Sequence, residues 1–161
     1  MKAAIVMGSD SDYKIVEKAE RLLKDFGVQV EVRVISAHRT PHRALDFARS
    51  AEENGFEVII GAAGKAAHLP GVLAALTILP VIGIPIKSST MDGLDSLLSI
   101  VQMPKGIPVA TVAIDGAENA ALLAVQILST KYEVLKEKML QYRKTMENEV
   151  IEKDKQFLSN L

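Results

Sequence analysis

Apolar positions along the chain follow two different periods. Residues 3–7 and 58–62 are continuous apolar runs rich in β-branched side chains, the pattern of strands covered on both faces. Residues 28–36 alternate instead, with valine at 28, 30, 32 and 34. That alternation predicts a strand with one polar side, lying at a sheet edge. Residues 80–86 and 108–114, each opened by a proline, complete five strands. Between them the spacing turns helical near 12–26, 41–54, 66–78, 92–102 and 118–130. Gly27 and Gly55 read as helix stops, and Pro41 behind a Thr40 cap reads as a first helical residue. Strand and helix in strict alternation predict a parallel sheet with helices on both faces, joined by right-handed crossovers. The expected architecture is a three-layer αβα sandwich.

All ten glycines lie at or before Gly116 and all six prolines at or before Pro108. The chain thus divides into a punctuated body, 1–130, and an unpunctuated tail, 131–161. In the tail, Tyr132, Leu135, Met139, Tyr142, Met146 and Val150 recur at spacings of three and four among charges of both signs. This amphipathic helix carries a longer stripe than one small domain can cover, so it is expected to pack on a neighbouring subunit. The other reading folds it back on its own domain.

Composition narrows the functional classes. Of 161 residues, 48% are hydrophobic and 24% charged, the balance of a globular domain. Nineteen basic against twenty acidic side chains leave no cationic surplus for binding nucleic acid, and the absence of Trp removes the best stacking platform. With no cysteine, disulfides, thiolate metal sites and thiol nucleophiles are excluded. The N-terminus turns polar after seven residues, and no apolar run reaches the ~18 residues that span a bilayer. A cytoplasmic protein without membrane partners is expected.

In an open parallel sheet, ligands bind beyond the carboxyl ends of the strands. The segments placed there are Gly8-Ser9-Asp10-Ser11-Asp12, Ser36-Ala37-His38-Arg39-Thr40-Pro41, the small-residue stretch 61–71, and Lys87-Ser88-Ser89-Thr90. Two of three histidines, an arginine and many hydroxyls converge on one edge. The first segment suits a phosphate at a helix start, but it is neither a dinucleotide fingerprint nor a P-loop. Its aspartates repel phosphate unless Asp12 accepts from sugar hydroxyls while Arg39 takes the phosphate. Simple helix capping by Ser9 to Asp12 explains the same residues. In the second segment Pro41 leaves His38 and Arg39 in a loop facing a ligand. Imidazole exchanges protons at neutral pH, while a histidine bonded to its own loop is the alternative. His38 and His42 straddle a helix start, so a shared metal is not expected. In the third segment Ala63, Gly64 and Ala66 allow close backbone approach to a flat ligand, beside His68 and Leu69. Lys65 is expected to face solvent.

The ordered motifs GSDSD, SAHRTP, AAHLPG, GLDSLLSIVQMP and NAALLA closely resemble the PurE family of purine biosynthesis, over residues 3–130. The AAHLPG loop resembles the mutase class within it. The resemblance implies a flavodoxin-like fold and an isomerase converting N5-carboxyaminoimidazole ribonucleotide into 4-carboxyaminoimidazole ribonucleotide. It implies no metal, ATP or organic cofactor, with CO2 as a bound intermediate, and a homo-octamer with sites near subunit boundaries. By the same resemblance, Ser9, Ser11 and Asp12 contact the phosphoribosyl part. Arg39, with Ser36 nearby, serves the phosphate. His38 transfers protons, and His68 belongs to the same pocket, together with Ala63, Gly64, Ala66 and Leu69. The chain departs from the family at Gly61, Ala62 and Lys65, where Ala, Gly and Gly are usual. Direct carboxylation of aminoimidazole ribonucleotide is the competing enzyme, and a carboxylase of a pyridinium mononucleotide is a more distant one. A non-catalytic flavodoxin-like nucleotide-binding module is the non-enzyme alternative. A receiver-type module is disfavoured, because residues 61–63 lack the aspartate it would place there.

Overall fold

The computed structural model describes residues 1–161. Five parallel strands, β1 (Lys2–Met7), β2 (Gln29–Val34), β3 (Val58–Gly64), β4 (Val81–Ile86) and β5 (Ala110–Thr111), form one sheet in the order β2-β1-β3-β4-β5. The helices are α1 (Tyr13–Asp25), α2 (Pro41–Ser50), α3 (Leu69–Ala74), α4 (Leu94–Val101), α5 (Ala117–Ser129) and α6 (Glu133–Ser159). A short 3-10 turn, Asp10–Asp12, precedes α1.

The continuous runs resolve into two faces because successive strand residues point to opposite sides. Ala3, Ile5 and Met7 of β1, with Val58, Ile60 and Ala62 of β3, pack under α1 and α5. Ala4, Val6, Ile59 and Ala63 face a second core shared with α2, α3 and α4. The expected three layers are present, and β2 is the edge strand that its alternation predicted. On that strand Val30 and Val32 pack against the first core, whereas Val34 is exposed.

Several expected elements come out shorter, the fifth strand and the third helix for a local reason. The fifth strand is two residues, not seven. Gly83 O accepts from Val112 N–H at 3.1 Å, and Pro85 O from Asp115 N–H at 2.9 Å, so both residues face β5. Pro85 has no N–H to donate there, and the ladder stops. The third helix starts only at Leu69, since Lys65 and Ala67 hold positive φ angles of 55° and 29°. It ends by Ala75, and Thr77 Oγ1 then accepts from Leu79 N–H at 3.2 Å, turning the chain out of the helix. The second helix ends at Ser50, not 54.

Helices α3 and α4 lie unusually close to the sheet. Gly61 and Gly83 are register partners. A Cβ on Gly61 would lie 3.1 Å from Pro70 Cα, and one on Gly83 would lie 2.5 Å from Ile100 Cγ2. Both helices therefore dock on bare backbone.

The first turns of α6 join the body's own core, with Leu135 and Met139 buried and Tyr142 tilted on Phe26 at 5.7 Å. Glu57 anchors the approach to α6 by accepting from Lys131 Nζ at 2.7 Å and Tyr132 OH at 2.8 Å. Burial raises the carboxyl pKa, but those two bonds together with the positive charges of Lys131 and the amino terminus outweigh it and hold Glu57 below its ordinary value. From Met146 onward the apolar positions are exposed, Val150 at 65% and Phe157 at 64%. No helix is long and apolar enough to cross a membrane.

Gly83→Ala is expected to destabilise the protein by ~1–3 kcal/mol through overpacking against Ile100. Urea denaturation checks this, and an unchanged midpoint would mean that α4 yields without cost.

Candidate active site

At the carboxyl edge of the sheet lies an open cleft of about 670 Å³. All eleven site residues expected from the sequence line it: Ser9, Ser11, Asp12, Ser36, His38, Arg39, Ala63, Gly64, Ala66, His68 and Leu69. They come from the ends of β1, β2 and β3 and meet because β1 lies between β2 and β3.

The loop after β2 is built to hold Arg39 and His38. Thr40 Oγ1 accepts from Ser36 N–H at 3.1 Å and donates to Ser36 O at 2.9 Å. The Thr40 hydroxyl thus closes the loop, and it makes no helix-capping bond. That differs from the cap expected of it, because two bonds to one residue are available within the tight turn. Ser36 Oγ in turn accepts from Arg39 N–H at 3.2 Å and Nε at 3.3 Å. The Arg39 guanidinium also donates to Gly8 O at 3.2 Å, tying the second loop to the first. Ser36 therefore braces Arg39, and the guanidinium stays exposed beside the cleft.

Across the cleft, His38 Nε2 lies 3.1 Å from His68 Nδ1, the rings meeting edge to face at 83°. A hydrogen bond between two imidazoles requires one donor and one acceptor. The contact survives with both rings neutral or with one protonated, but not with both protonated. This pair can hold and pass a single proton. His42 is exposed and lies outside the cleft lining, and no three His, Asp or Glu side chains group closely enough to hold a metal ion.

At the first loop Ser9 Oγ accepts from Ser11 N–H at 3.3 Å and from Ser11 Oγ at 2.8 Å. Capping and cleft lining therefore coexist in the same residues. Burial pushes the Asp12 carboxyl above its ordinary value of 3.8. Bonds from Ser11 and Ser9 pull it back in part, while the Asp10 and Asp115 charges add to the rise. An acceptor held half-buried in this way suits sugar hydroxyls better than a phosphate.

Sequence reasoning left Lys65, Lys87, Ser88 and Ser89 out of the site, yet all four line the cleft. The strand-end rule had placed all four at this edge, Lys65 within the stretch 61–71 and the others after β4, and no motif singled them out. Lys65 is exposed, as expected, but it borders the cleft while being so.

Comparison with known proteins agrees with this geometry. The AIR carboxylase family model matches residues 2–149. The chain belongs to the AIR carboxylase family. An N5-carboxyaminoimidazole ribonucleotide mutase of Pyrococcus horikoshii is 63% identical over 151 residues, 94% of this chain and 85% of that one. A phosphoribosylaminoimidazole carboxylase of Saccharomyces cerevisiae is 56% identical over 92% of this chain, but the match covers only 26% of that longer protein. Among solved structures, PurE of Treponema denticola superposes with a TM-score of 0.88 at 30% identity, covering 96% of this chain and 97% of that one. Within the AIR carboxylase family, then, this chain matches the mutase over most of that protein's length and the carboxylase as one part of a larger one.

Asp12→Asn is expected to raise stability at neutral pH, because it removes a carboxylate whose ionisation burial disfavours. A raised native pKa makes the cost of ionised Asp12 full above that pKa and absent below 3.8. The gain should therefore shrink as pH falls toward 3.8, and urea denaturation across pH measures it. A gain independent of pH would assign the effect to packing.

Proposed function

We propose that the cleft converts N5-carboxyaminoimidazole ribonucleotide into 4-carboxyaminoimidazole ribonucleotide, an isomerase reaction of purine biosynthesis. The observation that carries the reading is the 3.1 Å contact between His38 and His68 inside a cleft whose rim holds Arg39 and Asp12. Arg39 takes the phosphate, Asp12 the ribose hydroxyls, and Ser9 and Ser11 the remaining phosphoribosyl oxygens. Small residues Ala63, Gly64 and Ala66, with Leu69, form a wall against which the flat imidazole lies.

The chemistry needs one proton moved twice. His38 donates a proton to the exocyclic nitrogen as the carbamate C–N bond breaks, leaving neutral CO2 and aminoimidazole ribonucleotide. Carbon 4 of the ring then attacks CO2, forming the new C–C bond. His38 removes the carbon-4 proton and returns to its starting state, so protons balance over the cycle. His68 orients the His38 ring through their shared hydrogen bond. Holding CO2 over carbon 4 is a proximity effect, and the reading invokes no metal or organic cofactor.

The active form in this reading is a cytoplasmic homo-octamer. Leu94, Leu98 and Val101 of α4 are each exposed by more than 40%, as are Val150, Ile151 and Phe157 of α6. Such apolar surface supports burial between copies, with residues 131–161 as an extension that continues from its own core onto a neighbour. Light scattering should give a particle of eight 17.4 kDa chains. A monomer at micromolar concentration would remove the assembly from the proposal.

His38→Asn is expected to lower turnover ~10²-fold or more while nucleotide binding persists. Carbon-labelled N5-carboxyaminoimidazole ribonucleotide, made fresh, provides the assay against a parallel sample of aminoimidazole ribonucleotide with bicarbonate. Efficient use of the second sample would reassign the chain as a direct carboxylase. Near-normal turnover by the variant would take His38 out of proton transfer.

A further inference from the structure

The substrate of the proposed reaction carries two separate anionic groups, the phosphate and the carboxylate that migrates. The cleft is lined by three fixed cations, Arg39, Lys87 and Lys65. Arg39 is tied to Gly8 O and Ser36 Oγ, on the side of the phosphoribosyl loop. Lys87 Nζ is paired with Asp92 at 3.0 Å, an exposed carboxylate that competes for its charge in part. Lys65 has no carboxylate within 4.0 Å.

Its placement is fixed by the loop. Ala67 N–H donates to Gly64 O at 3.1 Å, closing a turn with Lys65 and Ala66 at its centre. Gly64 ends β3 in register with Ile86 of β4, so the turn stands on the sheet. Lys65 holds φ 55° there, a left-handed conformation that favours glycine. A lysine stands where glycine would serve the backbone better. It is three residues from His68, on the loop that faces His38.

We infer that Lys65 is a specificity-determining cation for the migrating carboxylate of substrate and product, distinct from the phosphate contact at Arg39. The inference rests on the mutase reading of this cleft. CO2 is neutral, whereas the carbamate and the ring carboxylate are anions. Lys65 therefore favours the two ends of the reaction over the intermediate between them, so removing its charge weakens binding of the carboxylated species and does not by itself slow the chemical steps.

The test compares two ligands that differ only in the carboxylate. Binding of 4-carboxyaminoimidazole ribonucleotide and of aminoimidazole ribonucleotide is measured by calorimetry for the native protein, Lys65→Gln and Lys65→Gly. Glycine accepts φ 55° without strain, so that variant removes the charge while keeping the turn. The expected result is a loss of about 5- to 10-fold for the carboxylated ligand in both variants, the scale of one partly exposed charge-assisted contact. The ligand without the carboxylate should change by less than about twofold, and Lys65→Arg should restore most of the difference. Equal weakening of both ligands would place Lys65 at the phosphate and overturn the inference. No weakening of either would mean that it serves solvent only, and would overturn it too. A native protein that binds neither ligand would instead bring down the functional reading itself.

Discussion

The close approach of two helices to bare sheet backbone sets the geometry on which the site depends. With Gly61 and Gly83 side by side, Pro70 of α3 and Ile100 of α4 can sit where side chains would otherwise stand. Interiors are packed too densely to absorb an added methyl freely. The depth at which α3 docks fixes the start of that helix, and with it the turn 64–67 and the ring of His68. The His68 side of the 3.1 Å contact between the histidines stands on this floor.

Opposite that floor the loop after β2 achieves rigidity by a different means. It has little apolar anchoring beyond Ile35, and its order comes from hydrogen bonds. Thr40 closes on Ser36, Ser36 holds Arg39, and Arg39 reaches back to Gly8. Polar groups at the surface gain little from each bond singly, but together they restrict one short loop. One histidine is therefore held by packing and the other by a polar network. The two rings meet at 3.1 Å only because both supports converge on the same gap.

Charge around the cleft is divided with similar economy. Lys87 is paired with Asp92 at the surface, and Asp12 lies in surroundings that resist its ionisation. The lining cations without a carboxylate partner are Arg39 on one side and Lys65 on the other. At the far end of the sheet, Glu57 gathers Lys131, Tyr132 and the chain's amino terminus, 3.6 Å away. That cluster joins the body to the long helix, well removed from the chemistry.

Much of this was legible in the residues. Period-two and period-3.6 patterns separate strand from helix because burial acts on one face at a time, and alternation of the two dictates a parallel sheet. The strand-end rule then collected Ser9, Asp12, His38, Arg39 and His68 before any side chain was placed. Local chemistry could not say that Pro85 would face β5 and cut it short, since that depends on which neighbour receives each backbone group. Nor could it say that Thr40 would close its loop and make no cap. The sequence by itself determined the elements, the layers and the edge where chemistry could occur, because those follow from periodicity along one chain. Only the tertiary structure decided which polar groups meet across that edge, because hydrogen bonds and charges act over a few ångströms between segments far apart in sequence.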